Sequence, residues 1–513
     1  METAQELKAR AVVDVESGHI QKTDTIEGCE KIPGETISPS PETGLPISSH
    51  PTSTHQNPKD WPRAKKWTST LILSAFAFLQ PLSETMLAPV EVQISRSLHI
   101  TQAYEWLLVN SLILIGVGLS PLILAPLSEV YGRKPIIIIG SSIFAIWNMG
   151  CGAARTLDQM LAFRLLSGFG ASVADATSGG VLSDLWRVEE RGKVFAVYMA
   201  APLLGPALGP IIGSYISQGI YWRWIFWIIS IACAIVILIA IAFFRETYEP
   251  RIAELHNRAA KKIDRSGSST PLFENETPFL ELMRPNLQRP FRMLGTQVII
   301  QLLAGYMALL YGILFLFLFM YPRMWTVQYN ESITTGSINY LSFAVGLLLG
   351  VTIAGPLNDH VYSRLKARNN GVGRPEFRIP PMAIGTILVP VGLLLWGWAG
   401  EAKVHWIVPN IGSLIFGAGM YVCSGCVSVY TIDTYAQHAA SAISTNLVMR
   451  SLTGAIFPLF APYMFNSLGF GLGATILAGA FAVFGSVVVF TLWFFGERLR
   501  ARSPYCAAAL DKD

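Results

Sequence analysis

Twelve runs of apolar sequence constrain this chain more than any other feature. They fall near 68–90, 105–127, 135–154, 159–182, 194–216 and 222–244, then, after a polar stretch, near 295–321, 338–357, 379–399, 405–431, 439–465 and 470–495. Crossing about 30 Å of hydrocarbon takes about 20 helical residues, so each run is long enough to span a bilayer. Lipid offers no partner to a backbone N–H or C=O, so segments that cross it fold as helices. Only 14% of the 513 residues are charged and 52% are hydrophobic, giving a mean hydropathy of +0.44. Soluble domains are about one quarter charged. The expected fold class is therefore an all-α integral membrane protein. A formal charge of +4 is too small to point to nucleic acid.

The loops set the expected orientation, because cytoplasmic loops collect Lys and Arg. Arg133 and Lys134 follow run 2, Arg187, Arg191 and Lys193 follow run 4, and Arg245, Arg251, Arg258, Lys261, Lys262, Arg265, Arg284, Arg289 and Arg292 crowd the stretch between runs 6 and 7. Arg364, Lys366, Arg368, Arg374 and Arg378 follow run 8, and Arg498, Arg500 and Arg502 follow run 12. The alternate loops hold few cations, which places both termini in the cytoplasm. Asn330-Glu331-Ser332, a glycosylation acceptor, then falls outside, whereas Asn275-Glu276-Thr277 lies in a cytoplasmic loop ahead of Pro278 and is discounted. The expected organisation is a disordered cytoplasmic tail over 1–62, a six-helix bundle over 63–244, a cytoplasmic loop over 245–294, a second bundle over 295–496 and a cytoplasmic tail over 497–513. No cleavable signal peptide is expected, because the first apolar run starts only near Trp67.

Within run 5 lies Ala201 to Ser214, APLLGPALGPIIGS. Proline here implies a kinked helix buried among neighbours. Gly205, Gly209 and Gly213 recur every fourth residue, so they share a face that permits very close helix approach. Spacing alone leaves open whether this is packing or a transport feature. Cys423 and Cys426 have redox or zinc spacing, but they sit in apolar sequence without a partner pair and read as small packing residues. A weak internal repeat is also present. Pro126-Leu127-Ser128-Glu129 leads to Gly132-Arg133-Lys134, and Gly355-Pro356-Leu357-Asn358-Asp359 leads to Arg364. Parallel repeats of this kind mark two-lobed secondary transporters.

Together these residues resemble the major facilitator superfamily, and within it the twelve-span fungal drug:proton antiporters. Ala125 to Lys134 is similar to the family's loop 2–3 signature, with Ala125 for the usual glycine and Glu129 for the usual aspartate. Arg164 to Gly170 is similar to the span 4 signature, and Gly205, Pro206, Gly209, Pro210 and Gly213 to the span 5 antiporter signature. Trp222 to Trp227, Glu246-Thr247-Tyr248, Arg289 to Arg292, Tyr306 to Gly312, Pro375 to Arg378, Asp433 with Tyr435, Ser441-Ala442 and Arg450 resemble further marks of the fungal group. The resemblance implies two six-helix bundles around a central cavity. It also implies a gating role for Glu129, Gly132, Arg133 and Lys134, and the internal repeat makes Asp359 and Arg364 their expected second-half counterparts.

Arg164 is the sharpest functional signal from the residues themselves. A cation within apolar sequence costs several kcal/mol unless it snorkels outward, faces a cavity or meets a partner. Glu84, on the first run, reaches a similar outer depth and is the candidate partner. Asp175 stands eleven residues after Arg164 and so is expected on the same helix face, as a second proton or cation site or as a packing aspartate. Gln301, Tyr306, Tyr311, Phe315 and Asn446 are candidate cavity residues, although interhelical hydrogen bonding explains the polar ones equally well. No catalytic, metal-binding, cofactor or ATP-binding motif is apparent, so an enzyme is the least favoured class and an ion gradient the expected driving force. The leading expectation is a monomeric, plasma-membrane (alternatively vacuolar) proton antiporter for amphiphilic or hydrophobic small molecules. A narrow exporter of one organic acid or polyamine, and a non-transporting sensor, are the competing readings.

Overall fold

The computed structural model describes residues 57–255, 279–435 and 438–506. Residues 1–56, most of the expected N-terminal tail, lie outside the described residues. So do 256–278 of the central loop, with Arg258, Lys261, Lys262, Arg265 and Asn275, and 507–513 of the C-terminal tail.

Each apolar run is helical, and the helices below take the numbers of the runs. Helix 1 is Arg63–Thr85, helix 2 Ala103–Val130, helix 3 Arg133–Ala153, helix 5 Val188–Gly219 and helix 6 Arg223–Phe243. Helix 7 is Val298–Arg323, helix 8 Tyr340–Arg368, helix 9 Ile379–Glu401 and helix 10 Ile407–Thr434. Helix 4 comes in two pieces, Leu157–Ala171 and Val173–Leu185, broken at Ser172. The final 63-residue stretch, Ala439–Ala501, breaks at Gly469, whose φ of 77° only glycine adopts readily, into helices 11 (439–468) and 12 (470–501). Nine stretches among the described residues are long and apolar enough to cross a membrane, or ten with helix 5, which bends by 44° after Pro206. With the last stretch split and the short pieces of helix 4 joined, the helices match the twelve runs one for one.

Apolar residues from Ile72 to Phe244, joined by Ala455 of helix 11, form one core and others from Met293 to Cys506 a second. Side chains such as Ile146, Leu238, Ile387 and Val483 stay exposed on the outside, as lipid-facing residues do. Helix 5 stays helical past Pro202, Pro206 and Pro210, bending by 44° after Pro206, with its glycine face pressed onto helix 1. A Cβ on Gly205 would come within 2.7 Å of Pro81, one on Gly209 would strike the Thr85 hydroxyl, and one on Gly213 the Met86 carbonyl. The two cores touch where helix 2 meets helix 11, with Gly118 under Ser451, and where helix 5 meets helix 8. One element is not legible in the hydropathy: Phe279–Thr296, which begins in the expected loop 245–294 and ends two residues past it, is an amphipathic helix. It seats Met293 in the second core, and the Pro290 carbonyl accepts a hydrogen bond from Thr445 of helix 11.

Candidate functional site

Four ionisable side chains from both halves gather inside the helices. Arg164 on helix 4 is completely buried. It gets there because helices 2 and 4 pack almost backbone to backbone, a Cβ on Gly168 reaching to 2.9 Å from the Gly116 Cα. Its Nε donates to the Val109 carbonyl at 3.0 Å and its guanidinium lies 5.6 Å from the Phe226 ring. Nη1 and Nη2 have no hydrogen-bond partner. Glu84, on helix 1, accepts from Gln80 at 2.9 Å and lies within electrostatic reach of Arg164, Asp175 and Arg450. Asp175 accepts from the Tyr198 hydroxyl at 3.3 Å and feels Arg450 across the interface. Arg450 on helix 11 is held by Tyr311, donating to its hydroxyl at 3.2 Å and lying 4.8 Å from its ring.

The arrangement differs from the expected one in two respects. Glu84 and Arg164 make no ion pair within 4 Å; the hydrogen bond that Glu84 accepts comes from Gln80. Arg164 and Asp175 do not serve one surface either, because the break at Ser172 turns the helix between them. Arg164 addresses helices 2 and 6, whereas Asp175 addresses helices 5 and 11. Beside Glu84 a cavity of about 40 Å³ separates the halves, with Asn110 and Ser111 on one wall and Phe315, Phe319 and Tyr340 on the other. In such surroundings charges are tolerated only with counter-charges nearby. Protonating either carboxylate would leave an arginine uncompensated.

A second cluster closes the cation-rich end of the first half. Gly132 makes the turn between helices 2 and 3 at φ 96°. Arg133, nearly buried, donates to Ser128 at 2.5 Å and to Asp184 at 3.4 Å, and packs 5.2 Å from the Tyr248 ring. A Cβ on Gly180 would collide with that guanidinium. The expected carboxylate, Glu129, is largely exposed and only 4.0 Å from Arg133. The carboxylate that caps helix 3 is Glu246, which accepts from the backbone N–H groups of Arg133, Lys134, Thr247 and Tyr248 at 2.8–3.1 Å. An anion at the positive end of a helix is the favourable arrangement. Lys134 reaches the Ile241 carbonyl at 2.9 Å.

The second half repeats this design with a different arginine. Arg378, at the start of helix 9, pairs with Asp359 at 2.9 Å and Asp433 at 3.2 Å and lies 4.2 Å from the Tyr362 ring. Arg364, the expected cation, is exposed and makes no ion pair among the described residues. The repeat is spatial and pairs the starts of helices 3 and 9, whereas Arg364 lies inside helix 8, five residues past Asp359. Arg500 at the end of helix 12 pairs with Glu376 through two 2.8 Å bonds, as the end of helix 6 holds helix 3.

The expected cavity residues divide. Phe315 lines the cavity, and Tyr311 holds Arg450. Tyr306 is buried within the second half against Thr386 and Phe481. Asn446 donates to Thr431 inside the same core. Gln301 is exposed, its amide capping the amphipathic helix at Leu294. Arg450 and Glu246, named in the sequence only as marks of the fungal group, and Arg378 and Asp184 among others, carry charge contacts that the sequence-based candidates did not include. Arg450 carried the same signal as Arg164, a cation inside an apolar run. Cys423 and Cys426 are buried free thiols, and no group of three potential ligands among the described residues could hold a metal.

Comparison with known proteins adds the following. The family model described as Major Facilitator Superfamily matches residues 73–458. The chain is 41% identical over 453 residues to the efflux pump vrtL of Penicillium aethiopicum, covering 88% of this chain and 90% of that protein. It is 40% identical over 451 residues to an uncharacterised transporter of Schizosaccharomyces pombe, covering 87% and 91%. Among solved structures, the xylose transporter XylE from E. coli in a partially occluded inward open conformation matches with a TM-score of 0.60. That match has 15% identity, over 84% of this chain and 99% of that one. At that identity the likeness is one of fold.

Proposed function

The chain belongs to the Major Facilitator Superfamily and is a multi-pass membrane transporter rather than an enzyme, and we propose on that premise that it exports amphiphilic or hydrophobic small molecules in exchange for protons. The cation-rich end faces the cytoplasm in this reading, and exposed Asn330, at the opposite end, is available for glycosylation. Residues 63–244 and 295–496 are the two moving halves, 245–294 joins them, and 1–62 and 497–513 are cytoplasmic tails of a monomer in the plasma membrane.

The observation that carries the reading is Arg164: fully buried, with both terminal nitrogens unpartnered and Glu84 within electrostatic reach beside the cavity between the halves. A buried cation of this kind is costly to hold and marks an ion pathway by default. Glu84 or Asp175 takes up a proton from the external side, and its arginine is left without a counter-charge. The helices then shift, and the carboxylate releases the proton on the cytoplasmic side as the substrate leaves outward. At about 40 Å³ the cavity has room for about one water, and its walls, polar on the Glu84 side and aromatic opposite, would meet an amphiphile once the halves part. The Arg133 and Arg378 clusters latch helix ends within each half, and the glycine face of helix 5 seals it against helix 1.

The test is efflux of labelled drugs, polyamines and organic acids from cells expressing this chain, with and without a protonophore. Glu84→Gln and Arg164→Ala are run alongside at matched surface expression. Several unrelated apolar compounds should leave the cells, and efflux should collapse with the protonophore and in both variants. Movement of a single compound class would replace this reading with a narrow exporter. No movement from surface-expressed wild type would replace it with a sensor.

A further inference from the structure

At the cation-rich end, outside the transport path, the start of helix 1 and the end of helix 6 enclose a pocket of about 160 Å³. Trp61, Lys65, Thr68 and Ser69 line it from one side and Ala242, Phe243 and Arg245 from the other. Five neighbouring cations at this end are already occupied. Arg63 pairs with Glu190, Arg187 with Asp60 and Arg133 with Asp184, Lys66 holds the Lys59 carbonyl, and Lys134 the Ile241 carbonyl. Lys65 and Arg245 are exposed and pair with no carboxylate among the described residues. The adjacent carboxylate, Glu246, is committed to four backbone N–H groups.

Two uncompensated cations facing one pocket call for an anion, and the setting says which kind. Phe243, in the pocket wall, is 64% exposed, and further along the same two helices Leu71, Leu238 and Ile239 stand exposed where acyl chains run. Trp61 sits at the boundary level that indole favours. A ligand with a phosphate at one end and hydrocarbon at the other matches all of these features, whereas free phosphate would use only the cations. We propose that this groove between helices 1 and 6 binds the phosphate of an anionic phospholipid in the leaflet at the cation-rich end, with Lys65 and Arg245 as its clamp. Arginine and lysine bind phosphate through charge-assisted hydrogen bonds, and anionic lipids gather at the cytoplasmic leaflet. The site also touches the helix 3 cap, because Arg245 precedes Glu246 and Lys134 binds Ile241 next to the pocket. An occupied groove therefore ties the ends of helices 1 and 6 together beside the loop between helices 2 and 3.

The experiment is native mass spectrometry of the full purified chain with phosphatidic acid or phosphatidylcholine added, with inorganic phosphate as competitor. Phosphatidic acid should be retained in preference to phosphatidylcholine. Retention should fall on the order of thirty-fold in Lys65→Ala/Arg245→Ala, about fivefold per cation. It should survive in Lys65→Arg/Arg245→Lys, which keeps both charges, and in Arg498→Ala/Arg502→Ala, which removes two cations elsewhere at the same end. Equal retention in the two alanine pairs would overturn the assignment. Displacement by millimolar inorganic phosphate would do so as well, showing a free-anion site.

Discussion

Arg164 and Arg450 show how one residue type is made tolerable in two ways inside the same protein. Arg164 is wrapped by a backbone carbonyl and an aromatic face, with Glu84 as a distant counter-charge. Arg450 rests on Tyr311 and faces Asp175 from the opposite half. A cation bound to one half and compensated by the other has two arrangements to choose between, which is what a transport cycle needs. Arg450→Ala should therefore lower protonophore-sensitive efflux about tenfold or more at matched expression, while Arg450→Lys, keeping the charge, retains a measurable fraction. Efflux in Arg450→Ala equal to wild type would remove Arg450 from the coupling path. The sequence carried the Arg450 signal, an arginine amid apolar residues. What it could not carry was the partner, because Asp175 lies some 275 residues away in the chain and only the packing of helix 11 against helix 2, beside helix 4, brings the two into electrostatic reach.

At the scale of the element, helix 5 is the clearest agreement between spacing and structure. Glycines at every fourth position were expected on one face, and all three meet helix 1. Gly209→Val should clash with Thr85 and cost about 1–3 kcal/mol, read as a fall in Tm of the purified protein. Gly179→Ala, on helix 4 with nothing within 4 Å of the added Cβ, should instead leave Tm unchanged or raise it, since alanine is favoured over glycine mid-helix by about 0.5–1 kcal/mol. Equal losses in the two variants would mean that helix 5 is not held by close approach. Helix 4 shows where periodicity misleads. Eleven residues between Arg164 and Asp175 imply a common face only for an unbroken helix, and Ser172 interrupts it, sharing a short hydroxyl contact with Ser120 of helix 2. Gly168 and Gly170 just before it mark the interruption only weakly, since glycine is common in close-packed membrane helices. The amphipathic helix Phe279–Thr296 was missed for a related reason, its mixed polarity reading as loop when only long apolar runs are sought.

At the scale of the molecule, each half has its own apolar core, and the two latching clusters close within a half rather than across the interface. Two polypeptides divided within 256–278 should therefore assemble when co-expressed. Recovery of half or more of the intact chain's efflux, with co-purification of the two pieces, is the expected outcome. Aggregation of either piece even in the presence of the other would count against independent halves. The near-repeat of Arg133 with Asp184 in Arg378 with Asp433 belongs to this scale too. It links residues at matching places in the two bundles, with intervening loops of unlike length, so reading along the chain picked Arg364 instead of Arg378.

Local physics made much of this protein readable in its amino-acid order. Apolar length forces helices in a bilayer, glycine spacing selects a contact face, and a lone cation in an apolar run is costly enough to announce itself. These depend on near neighbours in the chain, so twelve runs, the helix 5 contact and Arg164 were all visible there. Tertiary structure alone decided which charges meet. It set Arg450 against Asp175, gave the helix 3 cap to Glu246, assigned Arg378 the place expected of Arg364, and drew Tyr306 and Gln301 away from the cavity. Each of these rests on how helices far apart in the chain are rotated and packed, and electrostatic partnership over a few ångströms is fixed only once that packing exists.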